Sequence, residues 1–313
     1  MTTTALSRRR RVLPDRPATR IRESSVDRVF LVAVYLLLGV FVLAVLLPLV
    51  YIVASSFSSP AAVSSGRVFL WPVDFTLQGY EVVLTNPEIL TGYVNSLIYA
   101  VAGTFISTTL TVAIAYPLSR RGLVGSNLIM ALVLVTMLFT GGLIPTYLVV
   151  QELGMLNTRW ALLLPQAIAV WQVIIARTYF RSAIPDELAE AAELDGSSDL
   201  RFLWSVVLPL SKPMIAVVAL MYAITQWNSY FDALIYLKDP DLYPLQLVLR
   251  NILILNSSAG GGVVDVALQM QREQMAELLK YSLIVVASIP VLLIYPFVAR
   301  HFTKGVMIGA VKG

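Results

Sequence analysis

Six long apolar runs set the plan of the chain. They cover about residues 29–54, 93–118, 125–150, 160–180, 206–228 and 281–300. Each approaches or exceeds the roughly 20 residues that an α-helix needs to cross a bilayer core. The first, "VFLVAVYLLLGVFVLAVLLPLVYIVA", carries no charge at all. The fourth is the least uniform, because Pro165, Gln166 and Gln172 interrupt it; Trp160 at one edge and Tyr179 and Phe180 at the other fit interfacial anchoring. The pattern predicts an all-α membrane protein with six transmembrane helices. Two long loops, about 55–92 and 229–280, hold the turn signals "SSP", "DPDLYP" and "NSSAGGG". Asp265 to Lys280 reads as an amphipathic helix leading into the last span.

Composition agrees. Only 13% of the residues are charged, against about 25% in soluble domains. The net charge of +4 does not describe a nucleic-acid surface, because the basic residues gather in "RRRRVLPDRPATRIR". Before a first span such a run is an anchor on the cytoplasmic side of the bilayer, in preference to an RNA-binding arm. With the N-terminus inside, the inner segments hold fifteen Lys and Arg and the outer ones six. Both termini are therefore expected in the cytoplasm. The chain divides into a basic arm (1–28), a transmembrane domain (29–300) and a cytoplasmic tail (301–313). The first run is too long for a signal h-region and has no obvious cleavage site, so a retained helix is expected.

Several chemistries are excluded. The chain has no cysteine, and its single histidine is His301, so thiolate chemistry and His-based metal sites or triads cannot be assembled within it. No GxxxxGK[ST] loop is present, and the glycines of "SSAGGGV" (257–263) lack the following lysine. The runs hold essentially no ionisable group at mid-depth, which disfavours the alternative of an ion-coupled secondary transporter or channel acting alone. Glu190 and Glu193 lie three apart on one helix with no concave site implied. The chain is expected to be no enzyme and to bind neither metal nor cofactor.

An acidic stretch stands between the fourth and fifth runs: "IPDELAEAAELDGSSDLRFLWSVVLPLSKP", from Ile184. Pro185 suits a first helical position, Asp186 and Glu187 favour the positive helix end, and Gly196 offers the left-handed closing conformation. A helix over Pro185–Asp195 follows, then a second short helix from Asp199, capped by Ser197 or Ser198. Ile184, Leu188, Ala191, Ala192 and Leu194 supply an apolar side. A plain connector needs no helix, glycine stop and second helix in series, so a protein partner with a receiving cleft is the sharper reading.

These residues also carry a resemblance. "EAAELDGSSDLRFLWSVVLPLSKP" resembles the EAA loop of binding-protein-dependent ABC importer permeases, with Glu190, Ala191, Ala192, Gly196, Leu208 and Pro209 filling the pattern and Asp195 before the glycine. "GGLIPTYLVVQELGMLNTRWALLLP" and the tail "KGVMIGAVKG" are similar to carbohydrate importer permeases, most of all the maltose-type second permease and its relatives for oligosaccharides and uronate fragments. The resemblance implies a type I importer permease fold with its core at about 90–300. It implies that the loop at 184–209 couples to a separate ATPase. Glu190 would pair with a basic residue there, Ala191 and Ala192 would pack closely, and Gly196 would allow the turn. Val311, Lys312 and Gly313 would make a second contact. ATP and magnesium would be used by the partner ATPase. The implied assembly has a second permease, two ATP-binding subunits and an extracytoplasmic sugar-binding protein, in a bacterial-type cytoplasmic membrane.

Gln226, Trp227, Asn228 and Tyr230 are candidates for the sugar pathway, because aromatic faces beside amides suit sugar rings and hydroxyls. Gln166 and Gln172 are further polar positions within the runs, and Gly141, Gly142, Pro145 and Pro165 mark breaks.

Overall fold

The computed structural model describes residues 24–258 and 266–309, with side chains at 24–252 and 274–296. The described residues are helical or irregular. Two units, Met1–Leu49 and Val50–Gly313, divide the chain within its first helix. That helix, α1 (Ser25–Ser56), meets the length and hydropathy of a span, and its side chains up to Leu49 are almost all exposed.

The second unit starts with two short helices, α2 (Pro60–Ser64) and α3 (Gln78–Thr85). Its central rod is α4 (Pro87–Ser119), 33 residues and therefore about 50 Å long. Asn86 starts it: the Asn86 Oδ1 accepts from the backbone N–H groups of Glu88 and Ile89 at 2.9 and 3.3 Å, and Pro87 occupies a position that needs no N–H. The buried face of α4 is built of small and polar residues, among them Gly92, Asn95, Ser96, Gly103, Ser107 and Thr111. Small residues let neighbouring backbones approach closely without the help of water exclusion. At Gly103 an added Cβ would stand 2.7 Å from the Gln226 side chain.

The third apolar run is broken. α5 (Ser126–Leu138) and α6 (Leu143–Glu152) meet at 111°. Gly142 lies at φ 84°, ψ 177°, a conformation open only to glycine. The fourth run contains α7 (Trp160–Leu163) and α8 (Val170–Ala183), with residues 164–169 non-helical around Pro165. Proline lacks an N–H and clashes with the preceding turn, so this run makes no uninterrupted spanning helix.

The acidic stretch forms α9 (Asp186–Leu194) and α10 (Asp199–Phe202). Pro185 is the N-cap residue, extended at ψ 148°, so the helix starts one residue later than the sequence suggests. A π-helical turn, Leu203–Val207, then leads into α11 (Leu208–Leu210). Widening the helix just before Pro209 accommodates the ring and the missing donor. At Ser211 the path bends by 82° into α12 (Lys212–Trp227). α13 (Phe231–Tyr236), a 3₁₀ turn at Pro240–Leu242 and α14 (Leu245–Ser258) follow. α15 (Val266–Gly309) absorbs both the expected amphipathic segment and the last span, and Gln274–Pro296 is its membrane-length part.

Among the described residues, three continuous helices are long and apolar enough to cross a membrane, or five if each bent pair is one span. Of the six expected, the fourth run is the one without a continuous or paired helix: its apolar length is present, but its helical continuity is not.

α4 packs against α8, α12 and α14, and α12 and α14 pack against α15. One core, around Tyr116, Phe180, Phe202 and Tyr222, lies towards the end of α4 that faces α9. Another, around Tyr99, Leu162 and Tyr236, lies towards the opposite end.

Candidate functional site

The acidic helix has two apolar faces rather than one. Ala189 and Ala192 pack on the core formed by Phe180, Ile184 and Phe202. Leu188, Ala191 and Leu194 point away from it, with Leu194 90% exposed, and Glu187 and Glu190 are exposed beside them. The outward positions 187, 188, 190, 191 and 194 follow a helical period and form an acidic and aliphatic stripe. Gly196 closes the helix at φ +72°. The Ser197 N–H then donates to the Ala192 carbonyl and the Gly196 N–H to that of Glu193, satisfying the last carbonyls as a glycine stop does. Ser198 caps α10 through its hydroxyl, which accepts from the Arg201 N–H.

Arginines fasten this element to the end of α4. Arg121 Nε donates to Asp186 Oδ2 at 2.8 Å, and Arg120 Nη1 lies 3.9 Å from Asp186 Oδ1. The Arg120 guanidinium also stands over the Tyr116 ring (5.0 Å) and the Phe202 ring (5.5 Å). Arg177 Nε donates to the Leu118 carbonyl at 2.9 Å and Arg181 Nε to that of Ser119 at 3.5 Å. Cations at a helix C-terminus complement its dipole. The sequence marks these arginines only as a charge bias between spans; their shared target was not legible, because it joins α4, α8, α9 and α10 across long separations.

The four sugar-pathway candidates do not share one surface. Gln226 and Trp227 are buried. Trp227 Nε1 donates to the Ala287 carbonyl at 3.0 Å and its ring meets Tyr93 edge-on, so it serves helix packing. Asn228 is exposed but its Nδ2 donates to the Ile224 carbonyl; Tyr230 is exposed. Gln172 is buried on α8. Gln166 Nε2, by contrast, donates to Asp232 Oδ2 at 2.8 Å, a contact the sequence did not announce.

A groove of about 990 Å³ runs between α4, α12 and α15, lined by Val101, Phe105, Trp204, Leu208 and Ile294. Its lining is almost wholly apolar, which does not suit a polyhydroxylated ligand. Among the described residues, no group of three His, Asp or Glu side chains is placed to hold a metal ion.

At the far end of α4, Asn95 Nδ2 donates to the carbonyls of Asp241 (2.7 Å) and Tyr243 (3.2 Å), while Asn95 Oδ1 accepts from Arg159 Nη2. Asn157 Oδ1 accepts from the Lys238 and Asp239 N–H groups. Two distant loops are thus tied to α4 by buried or backbone-directed amides.

Residues 89–308, which include all but the first two residues of α4, the α9–α10 element and most of α15, match the family described as "Binding-protein-dependent transport system inner membrane component". The chain belongs to this family. The permease is 41% identical over 295 residues to Protein LplC of Bacillus subtilis (strain 168), spanning 94% of this chain and 98% of that one. It is 41% identical over 287 residues to the polygalacturonan/rhamnogalacturonan transport system permease protein YtcP of the same organism, with 92% and 99% covered. A solved structure of a bacterial ABC transporter involved in the import of the acidic polysaccharide alginate has a chain that superposes with a TM-score of 0.81 at 36% identity, covering 90% of this permease and 99% of that chain. The permease therefore has an all-α membrane fold like that of an ABC importer permease. It is a transport component and not an enzyme. Membership of a binding-protein-dependent system leaves a solitary ion-coupled transporter or channel without support.

Proposed function

We propose that this permease is one of two that form the pathway of an ATP-driven carbohydrate importer, carrying an oligosaccharide with uronate units. The carbohydrate reading is supported by the polygalacturonan and rhamnogalacturonan of the YtcP name and by the alginate of the solved importer. In this reading both termini and α9 face the cytoplasm, and a sugar-binding protein delivers substrate to the loops around residues 55–92 and 229–258. Two ATP-binding subunits hydrolyse ATP, using magnesium.

One observation carries the coupling role: α9 holds an acidic and aliphatic stripe that the permease itself leaves uncovered, beside an inner face fixed to its own core. Glu190 pairs with a basic residue of the ATPase, and Asp195 adds charge at the helix end. Ala191 allows close approach. Ala192, turned inward, holds the helix on the permease body, so motion of one is motion of the other. Gly196 makes the turn. Val311, Lys312 and Gly313, which lie outside the described residues, provide the second contact in the resemblance.

The test is reconstitution with the partner permease, ATPase and binding protein. The expected result is ATP-dependent uptake that falls, together with ATPase co-purification, in Glu190→Lys inserted at normal level. Uptake that needs no ATPase, or a Glu190→Lys variant equal to wild type, overturns the coupling assignment.

A further inference from the structure

We infer that Gln166 and Asp232, with the exposed rings of Tyr230 and Phe231, form a sugar-hydroxyl subsite in the translocation pathway. The inference rests on the importer reading above and deepens it.

The position of the pair comes first. The chain passes from Arg159, bonded to Asn95 on α4, to Ala169, whose N–H donates to the Tyr222 hydroxyl beside Thr111 of α4. Asn95 and Thr111 are 16 residues apart on α4, about 24 Å along its axis. Gln166 lies on the stretch between those levels, and Asp232 is bonded to it. Asp232 in turn precedes Tyr236 on α13, and the Tyr236 carbonyl accepts from Asn157, next to the Asn95 level. The pair therefore sits on two stretches whose ends are anchored at the Asn95 and Thr111 levels of α4.

Its surroundings are the second point. Gln166 is exposed, Asp232 is half-buried, and Leu164, Pro165, Phe231 and Leu234 around them are exposed. A carboxylate at such a depth is not turned towards lipid. The backbone at 164–169 is non-helical, and irregular backbone within a membrane is tolerated where it lines a water-filled cavity or lies against protein. The Ala169 N–H reaches the Tyr222 hydroxyl and the Ala167 N–H the Leu164 carbonyl, so the break is kept in place by internal bonds and not by a lipid-facing helix.

The third point is chemistry. Gln166 Nε2 is used on Asp232 Oδ2. Among the described residues, Asp232 Oδ1 and Gln166 Oε1 have no donor. Two neighbouring acceptors take hydroxyl donors and repel a carboxylate. Tyr230 and Phe231, their ring centroids 6.4 Å apart, add faces for the C–H side of a sugar ring. The subsite therefore takes the hydroxyl edge of a ring and turns any uronate carboxylate away from the pair.

The chain has no cysteine, so Gln166→Cys and Asp232→Cys each introduce a single thiol. In the reconstituted complex, with a panel of oligogalacturonides, alginate oligosaccharides and malto-oligosaccharides, the sugar that wild type imports is identified first. Both thiols are expected to react with a charged, membrane-impermeant methanethiosulfonate during ATP turnover, and that sugar is expected to slow the reaction. Buried Ser107→Cys should stay unreactive. Asp232→Asn, nearly isosteric, is expected to raise the KM for uptake about tenfold, the loss of a charge-assisted hydrogen bond, with maximal rate and ATPase co-purification kept; Gln166→Ala should act in the same direction. Thiols that never react, or that react without protection while both substitutions transport as wild type, overturn the subsite even when sugar import is confirmed. Absence of import of any panel sugar by wild type, with ATPase still bound, refutes the substrate reading and the subsite with it.

Discussion

Arg121 Nε donates to Asp186 Oδ2 at 2.8 Å, fastening the turn after α4 to the first turn of the acidic helix α9. Arg120 reinforces the same joint from a sheltered position between the Tyr116 and Phe202 rings. The two arginines differ in exposure: the Arg121 side chain is 87% exposed and that of Arg120 17%. Exposed ion pairs contribute little, whereas a guanidinium packed on two rings contributes through stacking and its aliphatic stem.

Arg121→Ala should therefore change stability by less than about 1 kcal/mol, while Arg120→Ala should cost about 2 kcal/mol. Thermal unfolding in detergent, with the two variants side by side, checks the order. Equal effects would mean that the aromatic sandwich contributes nothing.

Gly196→Ala should cost about 1 kcal/mol, because φ +72° is strained for any residue with a Cβ. No neighbouring atom lies within 4 Å of the added methyl, so the penalty is conformational and not steric. Gly196→Asn should recover part of it, since Asn tolerates this region. A comparison of thermal midpoints among the three proteins decides the point; a fully stable alanine variant would contradict it.

Gly103→Ala should destabilise the α4–α12 contact by about 1–3 kcal/mol, since its methyl would meet the buried Gln226 side chain. Shortening that side chain in Gly103→Ala/Gln226→Ser should restore much of the loss. The coupling energy from a double-mutant cycle is the measurement, and additive penalties would show that the two residues do not compete for the same space.

Trp227→Phe should cost about 1 kcal/mol through the lost bond to the Ala287 carbonyl, and should leave the KM for sugar unchanged. A large KM change with unaltered thermal stability would return Trp227 to the pathway.

Asn95→Ala should lower stability by about 2 kcal/mol, because the carbonyls of Asp241 and Tyr243 lose their donor together. Accelerated hydrogen exchange or proteolysis at residues 238–243, with α9 unaffected, is the expected signature.

Much of this was visible in the chain. The long apolar runs announced a membrane protein; the acidic helix, its glycine stop and the second short helix appeared within one residue of expectation. These features depend on neighbours a few positions apart, so local propensity and capping decide them. The break at Pro165 was also visible, but its consequence was not: hydropathy counts apolar atoms and does not test whether hydrogen bonding continues through them. The Gln226–Tyr230 group looked like one surface because four suitable residues stand close in sequence. Helical geometry separated them, turning Gln226 and Trp227 towards α4 and α15 and leaving Tyr230 outside.

The class of protein, the placement of its apolar segments and the form of the α9–α10 element are legible along the chain, because bilayer length, turn chemistry and helix capping act over short spans of it. Which faces those elements use is settled by packing between distant segments. Ala192 turns inward and Ala191 outward, Arg120 finds Tyr116, Phe202 and Asp186, and Gln166 meets Asp232 across 66 positions of sequence. Such partners are selected by packing and by the high cost of unpaired polar groups away from water, and neither is written in the order of residues along one segment.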